Sequence, residues 1–201
     1  MPERTDHPRL TSRFHDAVGL ALLLHQKQLR KGTHTPYAGH LLAVTSLVIE
    51  HGGREDQAIA AMLHDAVEDQ GGEPTLALIR ESFGEQVAGI VSALTDTDVT
   101  PKPPWRARKE AYIAHVAEIP PAAVLVALAD KVHNARAIVR DVREHGDEVW
   151  KRFNAGGCEE VVWYYRELAR ALRRRTDGAL MDELEEAVRE MDELVHGDRE
   201  P

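Results

Sequence analysis

AAMLHDAVEDQ, residues 60 to 70, places four ionisable side chains in a segment that is otherwise mostly apolar: His64, Asp65, Glu68 and Asp69. The apolar neighbours predict a buried helix, and burying ionisable groups costs free energy unless they have partners. Because adjacent helical side chains are about 100° apart, His64 and Asp65 straddle one helix edge, and Glu68 and Asp69 follow them by four positions. The alternative is a solvated helix face, which the apolar side chains on the same turns disfavour. The stretch therefore predicts one wall of a polar pocket.

The rest of the chain shows the same helical character. Apolar residues recur mainly at helical spacing, and almost no segment alternates as a half-buried strand does, so we predict an all-α fold. Apolar spacing and glycine and proline signals predict helices over residues 12–31, from Pro36 to near Gly52, 54–70, 75–83, 85–94, 105–118, 121–145, 159–175 and after Gly178. The proline-rich loop TPKPP, residues 100 to 104, interrupts them. Rigid turns explain this loop, and the alternative is that it borders an active site.

Length, charge and cysteine content bound the class of protein. A chain of 201 residues suits one well-buried domain, which we expect over residues 12–176, between an N-terminal tail (1–11) and an acidic C-terminal helix and tail (177–201). The net charge of −9 argues against nonspecific binding to nucleic acid. The lone Cys158 fits a reducing compartment, and no stretch approaches the roughly 20 apolar residues that span a bilayer. We therefore expect a soluble, cytoplasmic protein without a membrane partner.

Two further residues complete a candidate metal site. His40 lies in PYAGH, and Asp130 follows an apolar run in VLVALADKVHN. Two imidazoles and two carboxylates suit manganese, iron or zinc better than calcium, which prefers oxygen ligands alone. Taken singly, His40 is equally explained as an ordinary histidine at a helix start, and Asp130 as a salt-bridge partner of Lys131 or Arg136.

This order of residues, a histidine, then an HD pair, then a distant aspartate, resembles the HD phosphohydrolase superfamily. The HD dipeptide is weak evidence by itself, but the flanking segments sharpen the match. They are HQKQLRK (25–31), PYAGH (36–40), AAMLHDAVED (60–69), FGEQVAGIVSALTD (83–96) and LADKVHNARAI (128–138). All look like the hydrolase domain of RelA/SpoT-homologue alarmone enzymes, in particular the small single-domain alarmone hydrolases, including the metazoan ones. The resemblance implies a helical HD-domain bundle with its metal site between central helices.

Carried over by motif, the resemblance also assigns roles to individual residues. It implies that manganese, or another divalent transition metal, is bound by His40, His64, Asp65 and Asp130. It makes Glu68 and Asp69 the catalytic acid pair. It assigns contacts with the purine, sugar and phosphates to a third group of residues: Arg30, Lys31 and Asn134, and by a looser alignment Arg106, Lys109 and Tyr164.

The implied substrate is a small purine nucleotide. The expected reaction removes the 3′-pyrophosphate of a (p)ppGpp-like alarmone through a metal-activated water. Two alternatives remain: an HD phosphohydrolase of another nucleotide (an adenine alarmone, a nucleoside monophosphate or NADPH), and a catalytically silent nucleotide-binding module. The intact ligand set and acid pair disfavour the second alternative.

Two features depart from the family pattern or leave alternatives. Leu41 replaces a proline that commonly follows the histidine ligand, a change expected to affect the geometry only slightly. Residues 150–168 carry more aromatic side chains than expected, which indicates either a packing helix or a lid that alters substrate choice. This aromatic segment and the acidic C-terminus are also candidates for pairing in a homodimer, so the oligomeric state stays open.

Overall fold

The structure is a computed structural model that describes residues 10–95, 103–153 and 155–197. Over these residues the chain is helical, and a single isolated bridge, between Leu29 and Pro36, is its one extended pairing. The predicted all-α fold is thereby confirmed. The start of the proline-rich loop and most of the N-terminal tail lie outside the described residues.

The described residues form two compact units. The first contains residues up to 30 and from 34 to 95, and the second contains residues 31–33 and those after 95. None of the described helices is long and apolar enough to cross a membrane. The domain boundaries after residues 11 and 176 stay a prediction.

The first unit is built around a buried central helix. Its helices are α1 (Ser12–Leu24), α2 (Ala38–Glu50), α3 (Glu55–Leu63), α4 (Ala66–Asp69), α5 (Glu73–Phe83) and α6 (Glu85–Leu94). Helix α3 packs against α1, α2 and α6, and its side chains from Ala58 to Leu63 are all fully buried. Three of these six side chains are alanine methyl groups, and such small side chains allow helix axes to approach closely.

The prediction that the first helix continues to residue 31 is wrong. Helix α1 ends at Leu24, and a turn closed by the bond from Gln28 N to the His25 carbonyl (2.9 Å) follows it. The chain then doubles back, and Arg30 N donates to the Thr35 carbonyl at 2.9 Å. The local residues are good helix formers, so the turn depends on contacts with residues beyond the predicted helix, such as this bond to Thr35.

The predicted helix over residues 54–70 is also two helices rather than one. Helix α3 ends before His64, and Asp65 (φ −96°, ψ −1°) stands at the start of α4. The side chain of His64 contributes to this break because its Nδ1 bonds the Ala61 carbonyl at 2.8 Å, which belongs to the last turn of α3. A side chain that binds a nearby backbone carbonyl competes with the helix ladder. His64 and Asp65 therefore lie at a junction rather than along a continuous helix edge.

The second unit contains the long helices of the chain. They are α7 (Trp105–Val116), α8 (Pro121–His145), α9 (Cys158–Arg173) and α10 (Ala179–His196), with a 3-10 helix over Gly146–Arg152. Helix α10 packs against both α8 and α9, and α7 packs against α9. The bounds of α6 and α8 are those predicted, and the other predicted ends agree to within two residues except for the two errors above.

Three consecutive arginines at the end of α9, Arg173 to Arg175, tie helices of the second unit together. The guanidinium of Arg173 bonds acidic side chains that include Asp182 (2.6 Å) and Glu185 (2.9 Å) near the start of α10. The guanidinium of Arg175 donates at 3.0 Å to the carbonyl of Val116, the last residue of α7, and at 2.7 Å to the carbonyl of Ile119 in the turn that follows. Of the three arginines, only Arg174 is exposed. Arg175 therefore satisfies carbonyls that the end of α7 leaves without helical partners.

Replacing Arg175 with alanine is expected to lower the free energy of unfolding by about 1.5–3 kcal/mol, because several charge-assisted hydrogen bonds are lost together. The matched control is Arg174→Ala, an exposed neighbour whose loss is expected to change it by less than about 0.5 kcal/mol. Urea unfolding of both variants measures the difference. Equal stabilities would show that the α7 carbonyls do not depend on Arg175.

Candidate metal centre

Helices α2 and α3 bring two histidines together. His40 lies in the first turn of α2 and His64 directly follows α3, and these consecutive helices pack side by side. Both histidines are buried, with exposed fractions of 2% and 4%, and their rings meet edge to face at 5.2 Å. The start of α2 and the end of α3 thus form the inner wall of a polar site.

Asp65 completes a group of three candidate ligands. Its Oδ2 lies 3.0 Å from His64 Nε2 and 3.6 Å from His40 Nε2. One ligand atom from each residue lies within 4.8 Å of the other two. This spacing lets a single cation contact two imidazole nitrogens and a carboxylate oxygen.

The hydrogen bonding of His64 fits the role of a metal ligand. The Ala61 carbonyl at 2.8 Å can only accept, so His64 Nδ1 carries a proton, and in the neutral ring Nε2 then presents a lone pair. That lone pair points at a carboxylate oxygen, an arrangement that needs a positive charge between the two. Metal-bound histidines usually donate their other N–H to a carbonyl in this way. Nitrogen and oxygen donors together suit a divalent transition metal.

Tyr37 supports this group from the turn before α2. Its hydroxyl donates to Asp65 Oδ2 at 2.5 Å, and its ring lies edge-on to His40 at 5.3 Å. The other side of the ring stacks on His25 at 5.4 Å, with 19° between the planes. The sequence placed Tyr37 only within the PYAGH motif and did not predict these contacts, which depend on residues distant along the chain.

The predicted catalytic acids belong to the short helix α4, which begins directly after Asp65. Glu68 is partly buried, and Asp69 keeps access to solvent while accepting a hydrogen bond from Gln28 Nε2 at 2.6 Å. Desolvation by the surrounding protein raises the pKa of Asp69, the bond from Gln28 lowers it, and the carboxylates of Asp65 and Glu68 raise it again. The net result is a raised pKa. Both acids thus lie within one helical turn of the candidate ligand Asp65.

The predicted substrate residues Arg30 and Lys31 differ in their surroundings. The guanidinium of Arg30 lies 5.7 Å from the centre of the Tyr37 ring, in the first unit. The structure therefore brings Arg30 near the residue that holds Asp65. Lys31 is exposed and belongs to the second unit, and its contact with phosphate stays a prediction.

Asp130 and Asn134 lie in α8 of the second unit, where they bond each other. The carboxylate of Asp130 accepts from Lys131 Nζ at 2.7 Å and from Asn134 Nδ2 at 2.5 Å. Burial alone would lower the pKa of Lys131, but the Asp130 carboxylate contributes to raising it well above its usual value. The salt bridge to Lys131 is one of the two that the sequence offered, whereas Arg136 pairs with Glu183. A metal role for Asp130 and a nucleoside role for Asn134 stay predictions.

The side chain of Arg106 contacts an aromatic ring and two acidic side chains in the second unit. Its guanidinium carbon lies 3.2 Å from the centre of the Trp163 ring, and its nitrogens bond Glu160 at 2.8 Å and Glu110 at 2.9 Å. These contacts join α7 to α9. They support the packing interpretation of the aromatic segment, and a phosphate contact by Arg106 stays a prediction.

Lys109 and Tyr164 lie close to each other between the same two helices. The ammonium of Lys109 is 5.0 Å from the centre of the Tyr164 ring, and Tyr164 is also edge-on to Trp105 at 6.0 Å. Tyr164 is buried, and desolvation raises the pKa of its hydroxyl well above the usual value. The structure therefore makes Tyr164 part of the aromatic core of the second unit, and its contact with the base stays a prediction.

Comparisons with known proteins agree with this geometry. The family model of the HD domain matches residues 17–157. The guanosine-3′,5′-bis(diphosphate) 3′-pyrophosphohydrolase MESH1 of Xenopus tropicalis is 34% identical over 171 residues, which cover 84% of this chain and 93% of the relative. The human protein of the same name is 35% identical over 136 residues, covering 66% of this chain and 73% of its own.

Solved structures show the same relationship. The structure of a metazoan SpoT ortholog that hydrolyses ppGpp superimposes with a TM-score of 0.72 and 26% identity, covering 91% of this chain and 97% of its own. The protein lmo0812 of Listeria monocytogenes superimposes with a TM-score of 0.64 and 27% identity, covering 79% of this chain and 99% of its own. The chain therefore belongs to the HD domain family, in which it is a hydrolase related to the MESH1 proteins.

Proposed function

We propose that the protein is a manganese-dependent pyrophosphohydrolase that removes the 3′-pyrophosphate of (p)ppGpp-like purine alarmones. One observation carries the proposal: His40, His64 and Asp65 place three ligand atoms within 4.8 Å of one another, next to the two further acids of α4. The activity named for the MESH1 relatives, which match most of the chain, supports the substrate class. The products would be pyrophosphate and the 5′-phosphorylated nucleoside.

The metal would be held by His40, His64 and Asp65, with Asp130 proposed as a fourth ligand. When bound, a divalent ion supplies positive charge that polarises a phosphoryl oxygen and lowers the pKa of water. The chain holds its ligands in place by two of the contacts above: the Ala61 carbonyl fixes the ring of His64, and the Tyr37 hydroxyl fixes the carboxylate of Asp65. Because His64 and Asp65 are already held in place, they need to reorganise less when the metal binds.

Glu68 and Asp69 would orient the attacking water and accept its proton. The raised pKa of Asp69 suits this role, because a general acid or base works best when its pKa approaches the working pH. Arg30 and Lys31 would supply the cations that a polyphosphate requires, and Asn134 would contact the sugar or base. Arg106, Lys109 and Tyr164 are proposed as outer contacts. A cytoplasmic location and a homodimer stay predictions from the sequence.

The substrate is tested by separating pyrophosphate from orthophosphate as products across a small nucleotide panel. We expect the protein with added manganese to release pyrophosphate from guanosine tetraphosphate. Adenine tetraphosphate, nucleoside monophosphates and NADPH serve as the competing substrates. Faster turnover of any of these three would replace the alarmone with that substrate, and release of orthophosphate alone would contradict the reaction type.

The ligand and catalytic roles separate in single variants. His64→Ala is expected to lose both bound manganese and turnover, because the site loses a buried nitrogen donor. Glu68→Gln is expected to keep its manganese and to turn over about 100- to 10,000-fold more slowly, because it keeps its size but loses the base. Metal analysis after dialysis and steady-state kinetics measure the two effects.

Exposed residues of the same types provide the controls. His15→Ala, on the surface of α1, and Glu81→Gln, on the surface of α5, should match the unmodified protein in metal content and rate. A manganese content of His64→Ala equal to that of His15→Ala would remove His64 from the site. Normal turnover by Glu68→Gln would remove Glu68 from catalysis.

The hydrogen bond from Tyr37 to Asp65 makes a prediction of its own. Tyr37→Phe keeps the ring that stacks on His25 but loses the hydroxyl, so manganese affinity should fall by about 10- to 100-fold, as is typical for groups that orient metal ligands. Calorimetric titration of the metal-free protein measures the affinity. An unchanged affinity would show that the hydroxyl does not orient Asp65.

A further inference from the structure

The side chain of Gln28 joins two segments of the first unit, the turn after α1 and the end of α4. Its Nε2 donates to Asp69 Oδ2 at 2.6 Å, at the end of α4. Its Oε1 lies 2.7 Å from His25 Nδ1, in the turn after α1, and also accepts from the side-chain amide of Gln70. Both ends of the Gln28 amide are thus engaged, and two of its three partners, Asp69 and Gln70, are more than 40 residues away along the chain.

The partners determine which way the amide of Gln28 points. A carboxylate can only accept, so the NH₂ group of Gln28 must face Asp69 and its oxygen must face the donors on the other side. His25 Nδ1 therefore carries its proton and donates to that oxygen. The donors and acceptors run in one consistent direction from His25 through Gln28 to Asp69.

His25 is a firm anchor for this chain of hydrogen bonds. Its side chain is only 3% exposed, and its ring stacks on Tyr37. The backbone holds the same turn, because Gln28 N donates to the His25 carbonyl and Tyr37 N donates to the Gln28 carbonyl, each at 2.9 Å. Gln28 therefore has few alternative positions.

Asp69, in contrast, needs a partner to hold it. It is solvent-accessible and ends α4, a helix of only four residues that cannot fix a side chain by itself. A carboxylate that rotates freely would spend little time in the geometry that proton transfer requires, and small misplacements of reacting groups cost about 100-fold in rate.

We propose that Gln28 is a positioning residue that orients the carboxylate of Asp69 for catalysis, while His25 holds the amide of Gln28 in the required direction. This inference rests on the proposed function, in which Asp69 handles the proton of the attacking water. Gln28 touches neither substrate nor metal in this account and acts through Asp69 alone.

Variants of Gln28 should therefore change kcat rather than KM. Gln28→Met, which is similar in size but cannot donate, is expected to lower kcat by about 10- to 100-fold, with KM changed by less than about twofold and manganese content unchanged. Gln28→Glu should be at least as slow, because it places a second carboxylate beside Asp69. The matched control is Gln26→Met, an exposed glutamine in the same turn, which should keep the kcat of the unmodified protein.

Two substitutions of His25 separate its donor from its ring. His25→Asn retains an N–H donor near the position of Nδ1, whereas His25→Phe retains a ring against Tyr37 but cannot donate. We expect kcat to be substantially higher for His25→Asn than for His25→Phe. If His25 had only a structural role, His25→Phe would have the higher kcat, because it keeps the ring that packs against Tyr37.

A thermodynamic cycle tests the contact without any substrate. Gln28→Met, Asp69→Ala and the double variant are compared by their shifts in Tm. Because both single substitutions remove the same hydrogen bond, the Tm shift of the double variant should be smaller than the sum of the two single shifts. Strictly additive shifts would overturn the proposed contact.

Failure of the proposed function and failure of the positioning role of Gln28 give different results. If the unmodified protein releases no pyrophosphate from any nucleotide, the proposed function fails, and the cycle still decides whether Gln28 holds Asp69. If the unmodified protein is active and the kcat of Gln28→Met is normal, the proposed function stands and the positioning role is overturned.

Discussion

The contact between two buried imidazoles and one carboxylate determines how the first unit is built. His40 and His64 are almost completely enclosed, and the Nε2 atoms of both face the same oxygen of Asp65. Burying such groups together is unfavourable unless a positive charge joins them. The interruption between α3 and α4 follows from this requirement, because an unbroken helix would not place His64 over Ala61 and also direct Asp65 towards both rings. The hydroxyl of Tyr37 on Asp65 completes an arrangement that suits a divalent cation.

Contacts between helices stabilise the second unit. Arg175 bonds carbonyls at the end of α7, and Arg106 stacks on the ring of Trp163. Several basic side chains of the second unit therefore already have protein partners. In α8, Lys131 and Asn134 bond the buried carboxylate of Asp130. Any role of Asp130 towards a metal therefore competes with two hydrogen bonds.

The sequence predicted the parts of the fold that local signals determine. The bounds of α8 follow from Pro121 at its start and Gly146 at its end, and both were predicted correctly. The ligand types of the candidate site could also be predicted, because histidine and aspartate stood out in an apolar segment. The turn after α1 could not be predicted, because the helix formers from Gln26 to Lys31 favour a helix. The contacts that oppose a helix there, such as Gln28 with Asp69 and His25 with Tyr37, are tertiary. The same reason applies to Tyr37 and Gln28, whose partners Asp65 and Asp69 are distant along the chain.

Locating the metal directly is the most stringent test of the central claim. Crystals grown with manganese and measured at the absorption edge of that metal would show its position by anomalous diffraction. We expect a peak in contact with Nε2 of His40, Nε2 of His64 and the carboxylate of Asp65. A peak bound to other residues, or no peak near these three at saturating manganese, would contradict it.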